Sequence, residues 1–571
     1  MEMEEEKHSS TRGENPPPPP RLKPGGWIAI AYILGNETFE RLASMSLISN
    51  LTVYLHTQYN IGGILLVNTV NIWSGSSNVT TIAGAFLADA YLGRFLTILF
   101  GLIISSLGMG MVAITAGTPQ LRPPDCHGES SCPQPKTWQL VFLFSSLGLL
   151  AIGSGGIRPC NIAFGADQFD TRTEKGKSQL KSFYNWWYFS FTIALLVALT
   201  AVVYIQTNVS WVWGYAIPTA CFALAILIFL CGRPVYVCIE PQGSVLVDMI
   251  KVINAAIRKR CVTLGPDSKF YDPPSEDSNQ KPYFLARTNR FKYLDKAAII
   301  CDPTEVNAEG VQSNSWRLCS VQQVEQLKCV VGIVPVWFTG IACFIAMDQM
   351  STFGILQVLQ SNRSIGSFKV PPAWMGLSSM IALALWIFIY ECIYVPYAQK
   401  STEKDIRMST KRKVQIGIVM SIICMLVAGF AEQIRRESAL KQGSFASPIS
   451  VALLLPQFAL SGMIEAFSAV AIMEFFNNQM PASMRSMAGS LFFLSLSMAS
   501  YLSSVLSNLV HTLSQSKGKP PWVGGHDLNS NRLEYFYFII AALGGINFIY
   551  FNFFACHYMF SDVGSQYIDS L

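Results

Sequence analysis

Long apolar runs separated by short polar breaks dominate the chain, and their spacing is that of a bilayer rather than of a soluble core. The first extends from Trp27 to about Leu55; others fall at about 62–88, 95–117, 138–163, 182–205 and 211–231. A second set follows at about 331–358, 372–396, 413–434, 448–476, 483–510 and 534–559. Each is long enough for a helix to cross a hydrocarbon layer, which takes roughly 20 residues. The pattern predicts an all-α polytopic membrane protein with twelve transmembrane helices in two six-helix bundles.

Six crossings return the chain to the side on which it began, so the polar stretch between the two sets shares a side with both ends. That stretch holds thirteen Lys and Arg residues between Arg233 and Lys328. A further basic loop holds Lys400, Lys404, Arg407, Lys411, Arg412 and Lys413. Basic loops stay cytoplasmic. The expected organisation is a disordered cytoplasmic tail over 1–24, including Pro16 to Pro20, a first bundle over 25–231, a cytoplasmic linker with amphipathic helices over 232–330, a second bundle over 331–560 and a short cytoplasmic tail over 561–571.

Composition supports this: only 13% of the 571 residues are charged, against about a quarter in soluble proteins. The net charge of +5 is located in loops and does not point to nucleic acid. The cysteines lie mostly in apolar runs and read as small buried hydrophobes. Cys126 and Cys132 differ, because they share a polar, proline-rich loop expected to face outward; a disulfide and two free thiols are both open there.

Charge inside the apolar runs is the candidate chemistry. Glu37, Glu40 and Arg41 are spaced i, i+3, i+4 and occupy one helix face, which must turn toward protein or a water-filled cavity rather than lipid. Arg158 follows Gly153-Ser154-Gly155-Gly156-Ile157, so its long side chain can reach a central cavity, pair with Glu37 or Glu40, meet an anionic substrate, or snorkel to an interface. Glu465 stands alone in Ser461-Gly462-Met463-Ile464-Glu465-Ala466, near a glycine that can kink a helix. Asp89 and Arg94 bracket a turn between the second and third runs and can exchange contacts as a conformational gate, with Gly84 and Gly93 permitting close approach or a tight turn. Tyr32, Trp73 and Trp337 are candidate pocket aromatics, with packing as the alternative. No nucleophile and base arrangement or phosphate-binding motif points to an enzyme.

Gly84 to Arg94 resembles the loop between helices two and three of the major facilitator superfamily. Glu37-Thr38-Phe39-Glu40-Arg41, the Arg158 to Asp170 segment, Phe183-Tyr184-Asn185-Trp186-Trp187-Tyr188-Phe189-Ser190, and Glu474-Phe475-Phe476 followed by Pro481-Ala482-Ser483-Met484-Arg485-Ser486 resemble the plant nitrate and peptide transporter group of the proton-dependent oligopeptide transporter family. The likeness covers about 25–560. It implies an alternating-access symporter with protons as coupling ion and no cofactor. Glu37, Glu40 and Arg41 then fill the proton-coupling motif, and Arg158 stands where many relatives have Lys. Glu465 stands at a second-half carboxylate that in peptide carriers recognises an amino terminus.

The same resemblance places Met347 where nitrate carriers have a histidine, which removes an imidazolium from the site. It implies a small, anionic substrate: nitrate at low affinity first, and an organic anion, hormone, glycosylated metabolite or small peptide next. Thr97 resembles a phosphorylation switch served by a regulatory kinase, against the alternative of an ordinary helix-start hydroxyl. The expected location is the plasma membrane. An anion channel or a transport-like receptor is the competing class; a channel needs a continuous pore, whereas paired internal charges suit alternating access.

Overall fold

The computed structural model describes residues 25–559 apart from 125, 127–131, 171–172, 240–244, 263–268, 274–284, 286, 308–309, 398–407, 481–483 and 516–519. Both expected tails, Lys400, Lys404, Arg407 and the Pro481-Ala482-Ser483 part of the second-half motif lie outside the described residues.

The first half contains α1 (Gly26–Gln58), α2 (Gly63–Leu87), α3 (Gly93–Gly117), α4 (Thr137–Ala166), α5 (Glu174–Val197, continued by π-helical turns to Val209) and α6 (Trp211–Cys231). After the linker helix α7 (Val245–Arg258), the second half contains α8 (Val321–Gln349), α9 (Met375–Phe388), α10 (Thr410–Gln442), α11 (Val451–Gln479), α12 (Arg485–Ser514) and α13 (Leu533–Phe553). Ten helical segments among the described residues are long and apolar enough to cross a bilayer. One of them, Gly63–Gly117, is broken by a π turn at Ala88–Leu92 and by Gly93, whose φ of +74° only glycine adopts cheaply. It therefore comprises α2 and α3. The charged helix α1 has 33 residues and is also long enough to cross.

Small residues let the helices approach closely. A Cβ placed on Gly84 of α2 would stand 2.0 Å from the Gly155 carbonyl oxygen of α4, so a hydrogen is required there. The helix starts match the apolar pattern except at α5, which begins at Glu174 rather than at 182, and at α8, which begins at Val321 rather than at 331. Its first turns carry Glu325 and Lys328, too polar for an apolar run, and these bind the linker: Lys328 Nζ lies 2.5 Å from Asp295 Oδ1 and 2.8 Å from Glu325 Oε1, and Thr288 Oγ1 donates to Glu325 Oε2 at 2.8 Å. The linker thus rides on the second half. Its helix α7 buries Met249, Val252, Ala255 and Ala256 and exposes an apolar stripe of Ile250, Ile253 and Ile257.

The two halves are fastened on the face opposite the linker, here the far face. Ser497 Oγ of α12 donates to the Gly75 carbonyl of α2 at 2.8 Å, Ser76 and Tyr501 share a bond at 3.0 Å, and Asn508 Nδ2 donates to Asn68 Oδ1 at 2.8 Å. At the rim, His56 and His526 stack at 4.6 Å, and Cys132, disulfide-bonded to Cys126, lies 3.6 Å from the His526 ring.

Gly84→Val is expected to drive α2 from α4 at a cost on the order of 1–3 kcal/mol or more. Thermal unfolding of the detergent-purified protein measures it, and an unchanged midpoint refutes the close contact.

Candidate functional site

The inward face of α1 behaves as its spacing predicts. Glu37 and Glu40 are fully buried. Arg41 Nε lies 2.7 Å from Glu37 Oε1 and 3.6 Å from Glu40 Oε2, and its guanidinium sits 5.6 Å from the Phe191 ring of α5. Asn161 of α4 donates to the other oxygen of Glu37, while Asn36 Nδ2 donates to Asn161 Oδ1 at 3.4 Å. Ser44 Oγ donates to Glu40 Oε1 at 2.7 Å. Glu37 is therefore bonded at both oxygens, whereas Glu40 Oε2 is buried without a hydrogen bond. Two carboxylates share one guanidinium, and the open position is on Glu40.

Arg158 faces the interior rather than an interface. It makes no direct ion pair with Glu37 or Glu40: Nη1 donates to Asn78 Oδ1 of α2 at 3.3 Å, and Nε is buried and unbonded. Glu40 still lies within its electrostatic field. Arg158 thus keeps donor capacity for an incoming acceptor.

In the second half, Glu465 opens a π turn, Glu465–Ala469, within α11. Its carboxylate has no hydrogen bond or ion pair among the described residues. The irregularity follows Gly462 instead of centring on it, because Gly462 is a packing contact: a Cβ there would stand 1.9 Å from the Ser379 carbonyl of α9. Met347 packs, partly buried, against the apolar core. Its neighbour Asp348 is the functional candidate that sequence reasoning passed over. Asp348 Oδ2 is buried and unbonded, with Ser500 and Ser503 of α12 beside the carboxylate. The available signal was a lone acid within an otherwise apolar run.

The aromatic candidates do not converge. Trp73 Nε1 donates to the Leu147 carbonyl at 2.9 Å and Trp337 Nε1 to the Leu491 carbonyl at 3.2 Å, so both indoles serve as packing posts between helices. Tyr32 lies near Tyr236, which follows α6 toward the linker.

At the α2–α3 turn Arg94 does hold alternative carboxylates. It bonds Asp167 at the end of α4 and lies 3.9 Å from Asp89. Thr97 is 5% exposed and donates to the Gly93 carbonyl at 2.9 Å, with Gly156 packed against it. The hydroxyl is closed off from solvent as long as α3 and α4 stay packed together. A further ion pair lies outside the candidate set: Arg435 bonds Glu432 at 2.7 and 2.8 Å within a network that includes Gln357 and Asn529. Every nitrogen of that guanidinium is bonded, which marks it as a structural tie in the second half.

Arg41→Met strands two buried carboxylates, and breaking a buried pair costs about 3–5 kcal/mol. Adding Glu37→Gln is expected to restore part of the lost thermal stability. A single variant that unfolds at the wild-type temperature contradicts the pairing.

The model described as the POT family matches residues 95–523. Among curated proteins, the chain is 56% identical over 538 residues to Protein NRT1/PTR FAMILY 2.8 of Arabidopsis thaliana, covering 94% of this chain and 95% of that protein. It is 41% identical to Protein NRT1/PTR FAMILY 2.13 of the same plant, covering 93% and 86%. Among solved structures, the POT family transporter PepTSo aligns with a TM-score of 0.67 at 18% identity, covering 95% of this chain and 100% of that one. A POT family transporter in complex with 5-aminolevulinic acid aligns at 0.58 and 12%, covering 93% and 96%.

Proposed function

The chain belongs to the POT family, and from that premise we propose a proton-coupled symporter that alternates access to a site between its two bundles. It is a multi-pass membrane transporter and not an enzyme. The observation that carries the coupling is Glu40, a buried carboxylate that shares Arg41 with Glu37 and leaves one oxygen unbonded. An unbonded buried carboxylate oxygen is a place to hold a proton. Protonating Glu40 removes one negative charge from the Arg41 cluster, and an anionic group of the cargo replaces it at Arg158. Proton and cargo then occupy the same side of the charge balance, which favours their moving together.

The cargo we favour is an organic solute with an anionic or electron-rich end toward Arg158 and hydrogen-bond donors toward Asp348 and Glu465. The support is the second half's charge: two carboxylates without ion-pair partners among the described residues, and no imidazolium at Met347. Nitrate is the second reading, favoured by Arg158, whose Nε remains open beside Asn78. The linker, the basic loops and both ends are cytoplasmic on this reading, the far face is outside, and the plasma membrane is the proposed location. Thr97 is a proposed kinase target, accessible in a conformer where α3 parts from α4.

The test is uptake into proteoliposomes under an imposed proton gradient, with labelled nitrate compared against carboxylated, glycosylated and peptide solutes. Gradient-driven uptake by Glu40→Gln is expected to fall by about ten-fold or more, some 1.4 kcal/mol at the transition state, while exchange of cargo across the membrane without a gradient persists. Uptake by this variant that responds to the gradient as wild type does rejects the mechanism. Asp348→Asn is expected to raise the KM for an amine- or hydroxyl-bearing cargo more than that for nitrate. Equal effects on both remove the argument against nitrate.

A further inference from the structure

A concavity of about 290 Å³ lies on the far face, apart from the charged cluster of α1. The loop after α8 forms it together with residues 446–448. It is lined by Ser361, Asn362, Arg363, Ser364, Lys369 and Ser447, with two cations and no carboxylate in the lining. Arg363 is only partly exposed, and its guanidinium makes no hydrogen bond or ion pair among the described residues. Burial also disfavours its charged form. A partly desolvated cation among hydroxyl and amide donors is poorly satisfied alone, and an oxyanion satisfies both the charge and the donors.

The pocket also sits on a strap between the bundles. Arg363 precedes a hairpin in which β1 (Ser364–Ile365) pairs with β2 (Phe368–Lys369). The Phe368 ring lies parallel to that of Tyr204 at 6.1 Å, and Asn208 Nδ2 donates to the Lys369 carbonyl at 3.2 Å. Tyr204 and Asn208 belong to the end of α5 in the first half. The hairpin therefore crosses from one bundle to the other on the face where they are fastened.

We propose that this pocket is a binding site for an oxyanion group, held between Arg363 and Lys369, and that its occupancy stiffens the strap and favours the conformer closed at the far face. The group is a carboxylate, sulfate or nitrate, borne either by a free anion or by cargo arriving at that face. The site itself stands on geometry independent of the transport reading; only its description as an outer site rests on that reading.

The test uses the full chain in nanodiscs and sodium sulfate as the probe, with sodium chloride at equal ionic strength as the reference, read by thermal unfolding. The expected result is a sulfate-specific rise in the unfolding midpoint of the wild type and of Arg158→Gln, lost in the double variant Arg363→Gln with Lys369→Gln. Arg158→Gln separates this pocket from the central site, so failure of one reading is distinguishable from failure of the other. A wild type that responds equally to sulfate and chloride overturns the proposal, as does a double variant stabilised as much as wild type. Where the sulfate effect holds, competition between sulfate and a carboxylate-bearing cargo in uptake at fixed proton gradient identifies cargo as an occupant. Sulfate that leaves the cargo KM unchanged identifies a free regulatory anion at the same site.

Discussion

Three charges on two turns of α1 set the condition that the rest of the molecule meets. Glu37, Glu40 and Arg41 are removed from lipid, and a carboxylate in low dielectric persists as an anion only with charge or donors against it. Glu37 obtains both, from Arg41 and from Asn161 on α4, a residue 124 positions away. That bond requires α4 to lie alongside α1. The close packing of α4 on α2, where Gly84 meets Gly155, holds α4 in place, and through Asn78 it also brings α2 to Arg158. The first bundle is thus assembled around its ions as much as around its apolar residues.

Much of the architecture was legible in the sequence because it depends on local periodicity. Runs of sufficient length announce helices, and the spacing of 37, 40 and 41 announces a shared face. Partners across the bundle were less legible. Nothing local distinguishes Asn78 or Asn161 as the acceptor or donor for a distant charge, so of the alternatives open to Arg158 the pairing with a glutamate gives way to an amide contact. Aromatic residues mislead for a related reason: Trp73 and Trp337 look alike as pocket walls or as packing posts until the carbonyls of Leu147 and Leu491 are seen to take their N–H groups. Asp348 was visible as a lone acid, but no second charge at 344, 345, 351 or 352 shares its helix face to single it out as Glu37, Glu40 and Arg41 single one another out.

The polar start of α8 has a mechanical consequence. Lys328, Glu325, Asp295 and Thr288 bind the linker to the second bundle with both charges and hydrogen bonds. A rocking motion between the halves, as the proposed function requires, would carry this part of the linker with the second bundle. On the far face the contacts are of another kind. Asn68 with Asn508, Ser76 with Tyr501 and the stacked His56 and His526 are mainly neutral hydrogen bonds and ring contacts. Neutral hydrogen bonds contribute only about 0.5–1.5 kcal/mol each in net terms, so such a seam can part without isolating a buried charge.

The division of charge between the halves constrains the proposed cargo more strongly than any single residue. The first bundle places two guanidiniums, Arg41 and Arg158, against two carboxylates. The second adds Asp348 and Glu465 with no cation paired to either among the described residues. On the proposed function a bare anion entering this space would meet excess negative charge unless protons arrived first, and the unbonded oxygens of Glu40 and Asp348 are the positions proposed to take them. A longer solute relieves it in another way, by turning hydroxyl or amine donors toward the second-half carboxylates while its anionic end remains at Arg158. On that proposal both routes would use the proton, but only the second would also use the acids of the second bundle as binding groups. That difference is the physical ground for preferring an organic cargo to nitrate.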